Sequence, residues 1–484
     1  MKLLIRPAPE VAIKSKPVRR QQMRHLRQNI RKLLARLDAE IRVEGSWDRV
    51  DVEVPDGRGL SGPALEVLLR IPGISTIQEI GAFPFVSLDD VADRAVEAFA
   101  DRLTGKTFAV RARRHGEHSF RSIDLERTVG AALIQASGAS GVDLKSPQVE
   151  VRIEVNDDRY HIAHRKHRGL GGYPLGSVEN VLTLISGGYD SSVAAYLMMR
   201  RGLRNHFLFF NLGGTAHEVG VRQVVHYLWD RYGASHSAKF ISVPFEGVVA
   251  EIMRSVSHRH WGVVLKRQML MAAAEIARKN NAVGLVTGDA VAQVSSQTLS
   301  NLNVVDRASD EVVLRPLVSM DKEAIIRIAR EIGTEVYARN MPEYCGVISQ
   351  KPATRAKLHR VEEDEAQMDT SVLANAIQAR EETPVSRLLE TTVTPEEVEM
   401  VQTPSVEDVI IDVRHPAEGE QSPLKLTNNE ILKIPFYELN QQLPELPANR
   451  QYLLYCDRGT MSRMHAGHLK AEGHENVKVY VPAA

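Results

Sequence analysis

The residues with the most chemical content lie at 186–191 and read Ser-Gly-Gly-Tyr-Asp-Ser. The apolar run Val181-Leu182-Thr183-Leu184-Ile185 precedes them, and Ser192-Val193-Ala194-Ala195-Tyr196-Leu197-Met198-Met199 follows with a helical pattern. Strand, glycine turn and helix N-terminus together form an anion cradle. The turn's N–H groups, from Ser186, Gly187 and Gly188 to Ser191, and the positive end of the helix are suited to a pyrophosphate. No Gly-Lys-Ser/Thr closes the turn, so it is not a Walker loop. A carboxylate in such a cradle repels bare phosphate. Asp190 therefore implies either a bridging Mg²⁺ or a part in orienting the reacting group.

The six positions match the S-G-G-x-D-S pattern of the PP-loop, found in enzymes that split ATP into AMP and pyrophosphate and so turn a poor leaving oxygen into a good one. The bland alternative, an ordinary Gly-Gly turn between strand and helix, does not account for five fixed residues matched over six positions in the right context. ATP and Mg²⁺ are the expected cofactors. Lys266, in a predicted helix Val263–Ala277, and Lys322, after a predicted strand Val312–Val318, are candidate cations for the charge that develops as pyrophosphate leaves. Lone lysines usually sit in solvent, so residue type alone does not single them out. Thr287-Gly288-Asp289 ends a predicted strand on the ligand face, and Ser295-Ser296-Gln297 follows in a polar loop.

Cys456 is a second chemical centre. It ends the predicted strand Tyr452–Tyr455 and opens the loop Cys456-Asp457-Arg458-Gly459-Thr460-Met461 before a helix predicted from Ser462. Loop N–H groups and a helix N-terminus favour the thiolate, and Arg458 and Arg463 add positive field. The bland alternative is a buried structural cysteine, and the strand–Cys–loop–helix setting favours the reactive reading. The setting resembles a rhodanese domain, whose cysteine carries a transferable persulfide sulfur, and Asp412-Val413-Arg414 fits the same tail. Met461 stands where rhodanese loops commonly have Arg. That speaks against turnover of free thiosulfate and leaves sulfur relay from a protein donor open. The only other cysteine is Cys345, in Met341-Pro342-Glu343-Tyr344-Cys345-Gly346.

The elements that must position these groups follow from length and pattern. At 484 residues, three or four domains are expected. A hydrophobic content of 43% and a charged content of 25% are those of a globular protein. Two cysteines exclude a disulfide scaffold. The N-terminus lacks an apolar stretch long enough for a signal peptide or a span, and no later segment supplies one, so a cytoplasmic protein away from the membrane is expected. Net charge is zero, but up to residue 36 the basic residues Lys2, Arg6, Lys14, Lys16, Arg19, Arg20, Arg24, Arg27, Arg31, Lys32 and Arg36 face only Glu10. Such asymmetry suggests a polyanion partner, against a merely solvated helix face. His161, His164 and His167 alternate with Arg165, Lys166 and Arg168, which favours a basic patch over zinc.

From about Asn180 strands alternate with helices, which predicts a doubly wound parallel sheet whose ligand lies at the strands' carboxyl ends. A polar, acidic stretch from Val361 to Val401 reads as a link, and the tail repeats the α/β rhythm on a small scale. Ala100–Thr107 imitates a Walker loop, but a helix precedes it and a strand follows, the reverse of the required order.

A PP-loop followed by a rhodanese-like tail and preceded by a basic α/β region resembles the tRNA 4-thiouridine synthase (tRNA sulfurtransferase) family. Lys106–Arg114 and Asp143-Leu144-Lys145-Ser146-Pro147 look like its THUMP RNA-binding domain. Phe210–Gly214, Gln293–Thr298 and Met341–Gly346 look like its PP-loop domain. The resemblance implies an α/β multidomain chain: a ferredoxin-like domain at 1–60, THUMP at 61–168, a PP-loop adenylating domain at 175–395 and rhodanese at 402–484. It implies ATP contacts at Leu184, Ile185, Lys266, Gly288 and Gln297, catalytic roles for Asp190 and Lys322, a persulfide on Cys456 and a disulfide partner at Cys345. It also implies tRNA as substrate, a cysteine desulfurase as sulfur donor, a reductant for the disulfide, and a small carrier protein that takes sulfur for the thiamine thiazole.

Two other readings stand beside it. A PP-loop ligase or amidotransferase acting on a small molecule leaves the basic N-terminal half and Cys456 without work. An RNA-binding chaperone with decayed catalytic domains conflicts with intact Asp190, Lys322 and Cys456.

Overall fold

The computed structural model describes residues 2–55, 59–212, 214–339, 341, 352–390, 398–414, 419, 422–426, 428–434, 439, 442–457, 459–471 and 473–482. The chain divides into two compact units, 1–178 with 200–202, and 179–199 with 203–484.

The first unit is built on a mixed eight-stranded sheet. Its strand order is Arg42–Gly45, Val50–Glu53, Lys2–Pro7, Ile74–Pro84, Arg159–Arg168, Val149–Asn156, Thr107–His115 and Gly141–Val142. Two apolar clusters lie against it. One joins Leu3, Ile5, Val50, Val52 and Ile77 to Leu26 and Ile30 of the basic helix Lys16–Leu34 and to Leu68. The other joins Phe108, Val151 and Tyr160 to Phe99 and Leu125. The helix Leu88–Leu103 starts where sequence chemistry says it must. Ser87 accepts a hydrogen bond from the Asp90 N–H at 3.1 Å, Asp89 and Asp90 favour the positive helix end, and Val91, Ala95 and Phe99 recur on one face.

The second unit contains two sheets. The larger has the order Val313–Leu314, Leu285–Val286, Asn180–Leu184, Arg204–Asn211, Lys239–Pro244 and Glu381–Pro384. Its first five strands are parallel and the last is an antiparallel edge. The smaller sheet is parallel throughout, in the order Met400–Val401, Val477–Tyr480, Tyr452–Tyr455, Val409–Asp412 and Ile431–Lys433. Crossover helices thus bring the carboxyl ends of the strands, and the loops after them, to one edge.

Two sequence expectations change here. The stretch from Val361 is not simply a link. Helices Leu358–Glu365 and Thr370–Gln378 pack Val361, Ala376 and Ile377 into the core, and Glu381–Pro384 joins the sheet. Acidic composition hid this, because one of its carboxylates works inside the fold: Glu365 receives Arg267 Nη2 at 2.8 Å. The strand expected over Val312–Val318 pairs only at Val313–Leu314. Pro316 has no N–H for a ladder, and the chain turns with Val318 N–H donating to the Arg315 carbonyl.

Burial pushes the imidazoles of His161, His206 and His217 below the usual histidine range. Lys2 adds to the effect at His161, Lys239 and Arg204 add at His206, and the Ser186 carbonyl and Glu218 oppose it at His217. The unfolded chain binds these protons more readily. Their contribution is therefore complete above about pH 6.5 and is lost as pH falls from there towards the lowered folded values. The thermal midpoint is expected to be lower at about pH 5.5 than at about pH 7.5. Equal midpoints would contradict this account.

Candidate active site

Strand Asn180–Leu184 ends at the PP-loop, and helix Tyr189–Arg200 leaves it. Ile185 is buried, and its N–H donates to the Leu208 carbonyl at 2.8 Å, which fixes the loop's entry. Gly187 has φ +80°, and a Cβ there would stand 2.5 Å from Met341 Cε, so only glycine fits. The hydroxyl of Ser191 accepts the Ser186 N–H at 3.2 Å, and the Ser192 hydroxyl donates to the Gly188 carbonyl at 2.8 Å. These bonds hold the turn closed over the helix N-terminus. Gly288 packs against the same turn, and a Cβ on it would lie 2.8 Å from the Asp190 carbonyl carbon and from the Ser191 nitrogen.

Asp190 lies in the helix's first turn and is held from two sides. Lys322 Nζ donates to Oδ1 at 2.8 Å, and Gln293 Nε2 donates to Oδ2 at 2.8 Å. Lys322 is the first residue of helix Lys322–Ile332, behind the Asp321 N-cap. A cation there is disfavoured by the helix dipole, so its placement serves the site rather than the helix.

Asp289 forms the second half. Its Oδ1 accepts from Lys266 Nζ at 2.5 Å and from Gln297 Nε2 at 3.0 Å. Its Oδ2 accepts from Thr287 Oγ1 at 2.8 Å and Arg315 Nε at 3.4 Å. Burial works against the charge on Asp289, but Lys266 above all, with Thr287 and Arg315, holds its carboxyl down at about 2. The carboxylate's contribution to stability is thus complete above about pH 4 and lost as pH falls towards 2. Gln297 Oε1 is buried and, among the described residues, has no hydrogen-bond partner. An orphaned acceptor beside a phosphate-type loop fits a ligand that brings a donor, as a nucleotide does.

In the smaller sheet's domain, Cys456 follows strand Tyr452–Tyr455 and is buried. Its Sγ accepts the Ser462 N–H at 3.3 Å and lies 3.4 Å from Ser462 Oγ, at the start of helix Thr460–Ala471. Arg414 braces the loop from below. It is almost fully buried, donates to Asp412 Oδ2 at 2.7 Å and Asp457 Oδ1 at 2.6 Å, and stacks over Tyr455 at 5.0 Å. Its hydrogen bonds to Asp412 raise the guanidinium's pKa further, and burial, with Asp457 next, pushes the Tyr455 hydroxyl up to about 12.

Along its whole length the chain is 80% identical to the tRNA sulfurtransferase of Marinobacter nauticus, over 100% of both chains, and 50% identical to that of Pseudomonas aeruginosa, again over 100% of both. The chain belongs to the tRNA sulfurtransferase family. Residues 176–370 match the family described as thiamine biosynthesis protein (ThiI), 2–77 the ThiI ferredoxin-like domain, 85–165 the THUMP domain and 395–481 the rhodanese-like domain. A solved 4-thiouridine synthetase–RNA complex with bound ATP shares the fold, at 24% identity and a TM-score of 0.68, covering 79% of this chain and 99% of that one.

Of the residues singled out in this sulfurtransferase's sequence, the structure groups Ser186, Gly187, Gly188, Asp190, Ser191 and Lys322 with Gly288. Lys266 and Gln297 join on Asp289. Leu184 and Ile185 enter as the strand end that carries the loop. Cys345 lies outside the described residues, as does Arg458. Among the described residues no group of three or more His, Cys, Asp or Glu is placed to hold a metal, and no helix is long and apolar enough to cross a membrane.

Gln293 and Arg315 were given no role by sequence, and neither was His217, whose Nε2 donates to the Ser186 carbonyl at 3.3 Å. Arg315 and His217 lie in no motif, and Gln293 opens the family-like stretch Gln293–Thr298 without a role of its own there. The one local signal is conformational: Ala292 has φ +64°, rare for alanine, and its N–H donates to the Gln297 carbonyl at 2.9 Å. That tight loop sends Gln293 to Asp190 and Gln297 to Asp289.

The basic N-terminal part is partly spent on its own fold. Arg27 and Arg31 each donate to a backbone carbonyl at 2.9 Å, of Gly45 and Val43, and Arg19 stacks on Trp47 at 4.2 Å. Arg6, Lys14, Lys16, Arg20 and Arg24 remain exposed, as does Arg113 in the THUMP strand. His167 pairs with Glu79 at 2.5 Å, which removes it from the expected patch.

Gly288→Ala is expected to push the Asp190–Ser191 backbone out of place and cut ATP-dependent activity by about 10²-fold, since a displacement near 1 Å has that cost. Steady-state kinetics in ATP check it. A wild-type rate would show that the contact is not tight.

Proposed function

We propose that this sulfurtransferase converts a tRNA uridine to 4-thiouridine by adenylation followed by persulfide attack. The observation that carries the reading is the pairing of Asp190 with Lys322 at the head of the PP-loop helix, beside Lys266 and Gln297 on Asp289. The ATP and RNA bound to the 4-thiouridine synthetase of like fold support the same substrates here.

In the first step the uridine O4 attacks the α-phosphorus of ATP, an O4–P bond forms and pyrophosphate leaves. Ser186, Gly187, Gly188 and Ser191 hold the phosphates, Lys266 and Lys322 meet the developing charge, and Asp190 keeps Lys322 aimed. Gly288 shapes the loop, and Leu184, Ile185 and Gln297 bound the nucleotide. Asp190 is a single carboxylate, so Mg²⁺ would arrive with the triphosphate and keep most of its ligands as water and phosphate oxygen.

In the second step the terminal sulfur of a Cys456 persulfide attacks C4 and AMP departs with O4. The product is a Cys456–S–S–C4 disulfide. Cys345 thiolate then attacks Cys456 Sγ, which forms the Cys345–Cys456 disulfide and frees C4 sulfur as 4-thiouridine. A dithiol reductant reopens the disulfide. Met341 packs on Gly187 and Gly220, and Cys345 follows four positions later in the sequence. That proximity along the chain supports Cys345 as the resolving thiol.

The sulfur comes from cysteine through a desulfurase, and a small carrier protein that feeds thiazole synthesis is a second acceptor, in keeping with the thiamine-biosynthesis family match. The work is cytoplasmic, divided among a ferredoxin-like domain at 1–60, THUMP at 61–168, the adenylating domain at 175–395 and rhodanese at 402–484. Nucleoside mass spectrometry of tRNA incubated with ATP, cysteine, desulfurase and this protein tests the reading. A gain of 4-thiouridine that needs all four supports it. No gain, or a gain without ATP, refutes it.

A further inference from the structure

Gln223 and His465 are buried polar side chains that the chemistry above does not use, at 7% and 5% exposure, and they meet. Gln223 stands on helix Gly214–Leu228 of the larger sheet's domain, and His465 on helix Thr460–Ala471 behind the Cys456 loop. Gln223 Nε2 is hydrogen-bonded to His465 Nε2. A buried side-chain hydrogen bond adds little net stability, but leaving the buried Gln223 amide without its partner is costly. A buried polar pair across two domains therefore selects one docked orientation over others.

Both helices reach a reacting centre. His217, on the Gln223 helix, donates to the Ser186 carbonyl, and Val221 Cγ2 lies 3.2 Å from where a Cβ on Gly187 would stand. Ser462, one turn before His465, donates its N–H to Cys456 Sγ. The helix that carries Gln223 thus also touches the PP-loop through His217 and Val221, and the helix that carries His465 also holds the thiol through Ser462.

We infer that Gln223 and His465 are a positioning pair that fixes the sulfur-carrying loop against the adenylating domain for the transfer step. The inference rests on the two-step reading above. Neither adenylation nor loading of Cys456 requires the pair.

The test uses the full chain with Gln223→Ala, His465→Ala, the double variant, and the exchanged pair Gln223→His with His465→Gln. Three quantities are read: tRNA-dependent pyrophosphate release, ³⁵S loaded onto Cys456 by desulfurase and cysteine, and the single-turnover rate of 4-thiouridine formation from loaded protein. The first two are expected within about twofold of wild type. The third is expected to fall about tenfold in each single variant, no further in the double, and to recover in part in the exchanged pair, as loss of one interdomain contact predicts. Unchanged transfer in the single variants, additive losses in the double, or equal loss in all three readouts would each overturn the inference. Wild-type protein that loads Cys456 yet makes no 4-thiouridine would overturn the underlying reading instead.

Discussion

Cys456→Ser is expected to lower 4-thiouridine formation by roughly 10³-fold or more, while tRNA binding and ATP-dependent pyrophosphate release stay within about twofold of wild type. The substitution is nearly isosteric at a buried position, and the Ser462 N–H still finds an acceptor, so the loop keeps its shape. The Arg414 brace on Asp412 and Asp457 is untouched. What is lost is chemical: an alkoxide or hydroxyl oxygen carries no transferable sulfane sulfur. Quantitative nucleoside analysis over many turnovers, beside filter binding of tRNA, separates the two effects. Multiple-turnover thiolation by Cys456→Ser or Cys456→Ala would remove this residue from the relay.

The second large effect is expected at the Asp190–Lys322 pair. Lys322→Ala removes a fixed cation where charge develops as pyrophosphate leaves, which is typically worth about 10²–10³-fold in rate, or roughly 3–4 kcal/mol. Asp190→Ala is expected to block adenylation, because Lys322 and Gln293 both orient on its carboxylate. The same Asp190 variant should still accept ³⁵S on Cys456, since that chemistry sits in the other domain. A normal level of AMP–tRNA intermediate in Asp190→Ala would take Asp190 out of the first step.

The chemistry was legible where residue type and chain order coincide. Ser186–Ser191 between an apolar run and a helical pattern pointed to the phosphate loop, and Cys456 between a strand and a helix pointed to the thiol loop. Alternating strands and helices gave the parallel sheets. Less legible were interactions made by ordinary side chains brought from afar. Nothing in Gln293 announces its bond to Asp190, because that bond depends on a left-handed alanine at 292 that no pattern demands. Asp289 stood in a noted strand end, yet its grip on both Lys266 and Gln297 requires three separate elements to converge. The acidic stretch after Val361 misled because composition was read without its partner: Arg267, buried on another helix, takes Glu365 inside. Likewise the basic helix Lys16–Leu34 carried charges that its own sheet consumes at Arg27 and Arg31.

The central claim is that the loop at 186–191 makes an adenylate on the very oxygen that sulfur replaces. It is tested most directly with tRNA whose target uridine carries ¹⁸O at C4, incubated with ATP, cysteine, desulfurase and this protein. The account predicts one ¹⁸O in the phosphoryl group of the released AMP for every 4-thiouridine formed. Label released to water or found in pyrophosphate, with unlabelled AMP, would contradict it.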